Sequence, residues 1–137
     1  LEYTATIPQG IVSQNSRQNI IRILKKNKID QFFTSIIGYE EVDLHHQKPH
    51  PEGILNCLHE INITEGNVFY VGDHETDINT AKNAAPELKM QASSIEILTI
   101  AAYYGSSDDP VYWQTQPDFV ASKVADFNKL IDFKKDK

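Results

Sequence analysis

Asp73 and Asp77 stand four residues apart, just past the apolar run Val68-Phe69-Tyr70-Val71 and the glycine that ends it, Gly72. A run of β-formers stopped by glycine and followed by acidic residues reads as a buried strand delivering carboxylates to its carboxyl end. In open α/β sheets ligands bind at that end. Two aspartates there are hard oxygen donors, suited to Mg²⁺ held beside a phosphate. Asp73, Glu75 and Asp77 also alternate like the start of a calcium loop. An EF-hand would need Gly and Glu at its sixth and twelfth positions, and those are Ile78 and Ala84 here, so the calcium-loop reading fails.

Other residues could meet the phosphate itself. Ser13 ends the short apolar run Gly10-Ile11-Val12, and Gln14 and Asn15 follow. A hydroxyl and free N–H groups at a strand-to-helix turn make an anion site. Taken alone, an ordinary turn and cap is the simpler reading. Lys48 lies in Gln47-Lys48-Pro49-His50-Pro51-Glu52, where two prolines stiffen the backbone ahead of a helix. A lysine there could reach a phosphate, although a solvated surface lysine is the simpler reading of that residue by itself. His45, His46 and His50 invite a metal reading. His46 and His50 would share a helix face only in a helical segment, which Pro49 and Pro51 oppose. His74 could touch substrate, with a surface role the simpler reading. Cys57, in Ile54-Leu55-Asn56-Cys57-Leu58, reads as a helix core position with no activating base nearby.

The elements that must position these residues can be read from periodicity. Residues 1–9 read as irregular, and Gly10–Ser13 as a strand. Ser16 predicts a cap for a helix over roughly 17–27, with Ile20, Ile21, Ile23 and Leu24 inward. Thr34–Ile37 reads as a short strand and Tyr39–Pro51 as a polar loop. Pro51 suits the first turn of a second helix with Ile54, Leu55, Leu58 and Ile61 as its stripe. After the strand Val68–Val71, a helix is expected from about Asp77 to Ala85, stopped by Pro86. Ile78, Ala81, Ala84 and Ala85 would be its buried face. Ile97–Ala102 reads as a strand closed by Gly105, and residues 105–117 as a polar loop around Trp113. Asp118–Val120 reads as a last strand. Ser122 would cap a final helix with Val124, Phe127, Leu130 and Ile131 inward, and Lys134–Lys137 as a frayed tail. Alternating strands and helices of these lengths imply a parallel α/β sheet.

A chain of 137 residues is one domain by prior, large enough for a real core. A net charge of -6 argues against a nucleic-acid partner. The single cysteine forms no internal disulfide, which favours a reducing, cytoplasmic setting. No apolar run reaches the roughly 20 residues of a spanning helix, so no membrane partner is expected. No signal peptide is visible, and without one the sequon Asn62-Ile63-Thr64 reads as chance. A start at Leu1 rather than methionine reads as processing or truncation.

Over about residues 10–131 the segments, in order, resemble the haloacid dehalogenase-like (HAD) hydrolase superfamily, in particular its phosphoglycolate-phosphatase-like branch. Gly10-Ile11-Val12-Ser13 is similar to the second family motif, a strand ending in a Ser or Thr that hydrogen-bonds the phosphate. Lys48-Pro49-His50-Pro51-Glu52 looks like the third, whose lysine neutralises phosphate and nucleophile. Val71-Gly72-Asp73-His74-Glu75-Thr76-Asp77 looks like the fourth, whose acidic residues hold Mg²⁺. Lys-Pro-x-Pro-Glu followed some twenty residues later by a strand and Gly-Asp-x-x-x-Asp is a specific pairing. Two departures stand out. Asparagine often directly follows the second-motif Ser or Thr, but here Gln14 precedes Asn15. The first motif, Asp-x-Asp-x-Thr/Val, which supplies nucleophile and general acid/base, has no match, and neither has the helical cap.

The resemblance implies an α/β fold: a Rossmann-like parallel sheet flanked by helices. Residues 1–137 would be a partial HAD-like core running from the second to the fourth motif, N-terminally truncated. It implies Lys48 and Asp73 as catalytic residues and Ser13, Gln14, Asn15 and Lys48 as substrate-binding ones. Asp73 and Asp77 would hold Mg²⁺. The implied activity is hydrolysis of a small phosphomonoester through an aspartyl-phosphate, with this chain inactive alone. The implied partners are a small phosphorylated metabolite and a missing N-terminal segment, or another chain, to complete the sheet. A non-catalytic HAD-like binding module is the alternative. A receiver domain fits less well, because its acidic phosphoacceptor pattern is missing.

Overall fold

The computed structural model describes residues 1–104 and 108–135, which divide into two compact units, Leu1–Thr64 and Glu65–Lys137. In the first, β1 (Gly10–Val12) pairs in parallel with β2 (Ser35–Ile37), Ile11 opposite Ile36. The ladder runs on at both ends, through Thr34 N to Gln9 O at 2.9 Å and Ser13 N to Ile37 O at 3.0 Å. The crossover is α1 (Arg17–Lys26), and the Ser16 side chain caps it as expected, accepting from Asn19 N at 3.2 Å. Ile20 and Leu24, four apart, are buried. Ile23 was expected inward but is 44% exposed, because it lies a step around the helix from the 20/24 stripe. The second helix, α2 (Glu52–Glu60), starts just after Pro51 and buries Ile54, Cys57 and Leu58. Each such aliphatic side chain contributes about 1.5–3 kcal/mol on burial.

In the second unit β3 (Glu65–Gly72), β4 (Ser94–Ala102) and β5 (Phe119–Ala121) form a parallel sheet in the order β3-β4-β5. The central strand β4 is the most apolar and buries Leu98, Ile100 and Ala101. Its buried Thr99 is satisfied by Asp118 Oδ2, which accepts from Thr99 N at 2.8 Å and Thr99 Oγ1 at 2.9 Å. Helix α3 (Glu75–Met90) begins earlier than expected and runs through Pro86. The proline forfeits one backbone bond, but Leu88 beyond it is 5% exposed and anchors the last turn in the core. Ile78, Ala81 and Ala84 are buried as expected, whereas Ala85 is exposed.

The loop before β5 is less polar than its composition suggested. Trp113 is buried against Ile78 and Ala101, and its indole N–H donates to Asp108 Oδ1 at 2.8 Å. The last helix, α4 (Val124–Lys135), is closed at its start by Asp126, whose Oδ2 accepts from Ser122 N at 2.9 Å and Lys123 N at 3.2 Å. Val124, expected inward, is exposed in that first turn. The helix holds as far as Lys135, so Lys134 and Lys135 are helical rather than a frayed tail, and Gly105, Asp136 and Lys137 lie outside the described residues. The fold class is α/β, with parallel sheets flanked by helices, as the alternation implied. Among the described residues the strands form two separate hydrogen-bonded sheets, β1-β2 and β3-β4-β5, as expected of a partial core whose sheet is incomplete.

Candidate functional site

In the first unit Ser13, Gln14 and Lys48 line one recess at the carboxyl end of β1, together with His46, Gln47 and His50. Close packing of α2 on β1 brings the Lys48 loop there. A Cβ on Gly53 would lie 2.7 Å from Val12 Cγ1, so only glycine allows this approach. Gln47 Nε2 donates to Tyr39 O at 2.7 Å and Val42 O at 3.0 Å, which pins the segment before Lys48. The Lys48–Pro49 peptide bond is cis. Ser13 Oγ accepts from Asn15 N at 3.1 Å. The Asn15 carboxamide turns to α1, accepting from Ser16 N at 2.9 Å and Asn19 Nδ2 at 3.0 Å. Gln14 therefore lines the recess, whereas the Asn15 side chain serves the helix start.

His46 and His50 come together although no single helix spans them. Their rings stack with centroids 4.1 Å apart and planes 12° apart. His50 Nδ1 accepts from Glu52 N at 3.2 Å, and His46 Nδ1 lies 3.3 Å from Glu52 Oε1. Stacked rings present faces rather than nitrogens to each other, so the pair is not a metal chelate.

In the second unit Asp73 directly follows β3. One ligand atom each of Asp73, His74 and Asp77 lies within 4.8 Å of the others. That spread is close to the about 4 Å that opposite oxygens span around Mg²⁺, so modest side-chain movement would let Asp73 and Asp77 hold such an ion. Asp73 and His74 are exposed, and His74 Nδ1 lies 2.8 Å from Asp73 Oδ1. Asp77 is only 9% exposed, and its Oδ2 accepts from His74 N at 3.3 Å across the start of α3. A Cβ on Gly72 would fall 2.2 Å from that of Asp77, so glycine is required where the strand meets the helix. Asp77 thus shapes the loop as well as offering a carboxylate. Sequence reasoning missed the partner of Glu75. Its Oε1 accepts from Thr115 N at 2.7 Å, forty residues away, and no local pattern signals a bond of that span.

Cys57 does not join either site. It is buried in α2, and burial pushes its thiol up, against chemistry as a nucleophile. Among the described residues no helix is long and apolar enough to cross a membrane.

A family model described as haloacid dehalogenase-like hydrolase matches residues 3–88. The chain belongs to that family. It is 33% identical over 122 residues to the pyrophosphatase PpaX of Listeria welshimeri, covering 89% of this chain and 50% of the relative. PpaX of Bacillus anthracis is 30% identical over 123 residues, again 89% of this chain and 50% of the relative. The chain thus spans about half the length of the curated relatives it matches. A crystal structure described as a haloacid dehalogenase-like hydrolase from Bacteroides fragilis superposes with a TM-score of 0.70 at 27% identity, over 88% of this chain and 51% of the other. A HAD-superfamily hydrolase from Geobacter sulfurreducens shares the fold, with a TM-score of 0.67 at 19% identity over 95% of this chain and 53% of the other.

Proposed function

We propose that this chain is the second-to-fourth-motif part of a Mg²⁺-dependent phosphatase core that hydrolyses a small phosphorylated metabolite in the cytoplasm. The observation that carries the reading is positional. Ser13 and Asp73, the second- and fourth-motif residues, each follow a parallel strand at its carboxyl end, and Lys48 shares the recess of Ser13. In this reading the motif residues act on a phosphoryl group. Ser13 and Gln14 hydrogen-bond its oxygens, and the Lys48 ammonium offsets the charge that gathers on them. Asp73 would hold Mg²⁺, with Asp77 as a second ligand or as the residue that orients the loop. The ion would supply Lewis-acid stabilisation of the phosphoryl oxygens. A carboxylate nucleophile would form an aspartyl-phosphate that water then opens. The chain has no Asp-x-Asp pair, so that nucleophile would come from a segment or chain beyond these residues. The name of the PpaX relatives makes inorganic pyrophosphate a substrate to test beside phosphomonoesters.

The test is an assay with Mg²⁺ on both substrate types, with intact mass recorded for the same sample. The 15.6 kDa chain alone should release no phosphate. A polypeptide that adds the Asp-x-Asp strand should turn over. In it Asp73→Ala should abolish metal-dependent turnover, and Lys48→Ala should lower kcat by about 100-fold or more. Turnover by the pure 137-residue chain would refute the assignment of the missing nucleophile. The missing Asp-x-Asp also favours a second reading, a non-catalytic binding module. That reading stands if the extended polypeptide binds phosphate without hydrolysing either substrate.

A further inference from the structure

The first two turns of α3 are held from two sides. On one side Asp77 Oδ2 accepts from His74 N at 3.3 Å, and Gly72 lets the strand end press against the Asp77 side chain. On the other side stands Thr115, in the loop before β5. Its N–H donates to Glu75 Oε1 at 2.7 Å, and its hydroxyl donates to Asn79 Oδ1 at 2.6 Å. Glu75 and Asn79 are four apart and share a helix face, so one residue grips two successive turns. The gripping loop is itself stiff. Gln116 Nε2 donates to Pro110 O at 3.0 Å and Trp113 O at 2.6 Å, and the buried Trp113 pegs the loop into the core.

We infer that the Trp113–Gln116 loop is a strap, with Thr115, Glu75 and Asn79 as positioning residues that hold the Asp73–Asp77 carboxylates in cation-binding geometry. The inference rests on the cation reading of Asp73 and Asp77 and adds a device that none of the motifs contains. Glu75 sits between the two aspartates in sequence, yet its carboxylate is committed to the strap. Its role is as a hydrogen-bond acceptor, not as a charge or a ligand. Groups that orient metal ligands without touching the metal have effects of this kind.

Glu75→Ala and Glu75→Gln separate the two roles in the chain as it stands. Glutamine keeps an acceptor for Thr115 N–H but removes the charge. The probe is Mn²⁺, titrated while amide line broadening is followed over residues 72–78, with amide exchange of His74 and thermal unfolding measured in parallel. Glu75→Ala should weaken Mn²⁺ binding by about tenfold and speed His74 exchange, whereas Glu75→Gln should stay near wild type on both. Thr115→Val, which removes the hydroxyl bond to Asn79, should fall between them. Equal loss in the Ala and Gln variants would mean that the charge acts directly, which overturns the inference. So would unchanged Mn²⁺ binding and His74 exchange in Glu75→Ala beside a lowered Tm, since the strap would then be structural only. Absence of broadening in the wild-type chain would instead overturn the cation reading, leaving the strap nothing to position.

Discussion

At the residue scale, contacts no motif describes decide what each side chain can do. Asn15 and Gln14 are chemically alike, but Asn15 is spent on the first turn of α1 and Gln14 on the recess. Cys57 is shaped by its neighbour Gly10, where a Cβ would lie 2.2 Å from the sulfur. Gly10→Ala should therefore cost about 1–3 kcal/mol in urea unfolding, and the cost should shrink in a Cys57→Ala background, where the clash is gone. An undiminished cost in the double variant would place the strain elsewhere. The same thiol makes a pH prediction. Burial raises it above its ordinary value of 9.0, so the unfolded chain ionises first as pH rises. Its contribution is complete below about pH 9 and is lost as pH climbs through the higher folded value. The Tm advantage of wild type over Cys57→Ala should therefore narrow on going from neutral pH to about 10.5. A constant gap across that range would count against it.

At the element scale, α3 does most to present the acidic residues, and it departs most from its sequence signals. Pro86 normally ends a helix, yet this one continues to Met90 with Leu88 seated in the core. Removing the proline should restore a backbone donor without disturbing that seat. Pro86→Ala is expected to stabilise the second unit by about 1–2 kcal/mol, smaller than the full interior-proline penalty because the unfolded chain also gains freedom. A fall in Tm would show that the ring packs usefully. The strap loop gives a second test. Trp113 is the chain's single tryptophan, buried to 7% exposure, so its fluorescence should be blue-shifted in the folded state. Trp113→Ala should cost about 3–5 kcal/mol, read by circular dichroism, because a large core side chain and the Asp108 bond vanish together.

At the scale of the whole molecule, the sheets carry edges. Strand β3 pairs with β4 along one edge, and among the described residues no strand is hydrogen-bonded to its other edge. Successive residues of a parallel strand direct their backbone groups to alternate neighbours. Alternate amides of Glu65–Gly72 should exchange fast in a dilute sample, and the others should be protected by β4. Uniform protection, with a sedimentation mass above 15.6 kDa, would show another strand seated on that edge. Such an edge supports the proposal that a first-motif strand, from a longer polypeptide or a second chain, completes the fold.

Much of this was legible in the sequence, because local physics carries it. The runs ending at Val12, Ile37 and Gly72 are strands since β-formers stop there at turn residues. Ser16 caps α1 because a hydroxyl before a helix has an orphan N–H to accept. The spacing of Ser13, Lys48 and Asp73 in the chain was enough to suggest the family to which residues 3–88 match. Other outcomes depended on groups distant in sequence. Pro86 stays helical because of burial at Leu88, and Ile23 and Val124 lie exposed although their residue types suit a core. The stacking of His46 on His50, the turning of Asn15 away from the recess and the grip of Thr115 on Asn79 are all contacts between side chains. Periodicity reports which face of an element is apolar. Which atoms meet across elements is set by packing, and only the tertiary structure decides it.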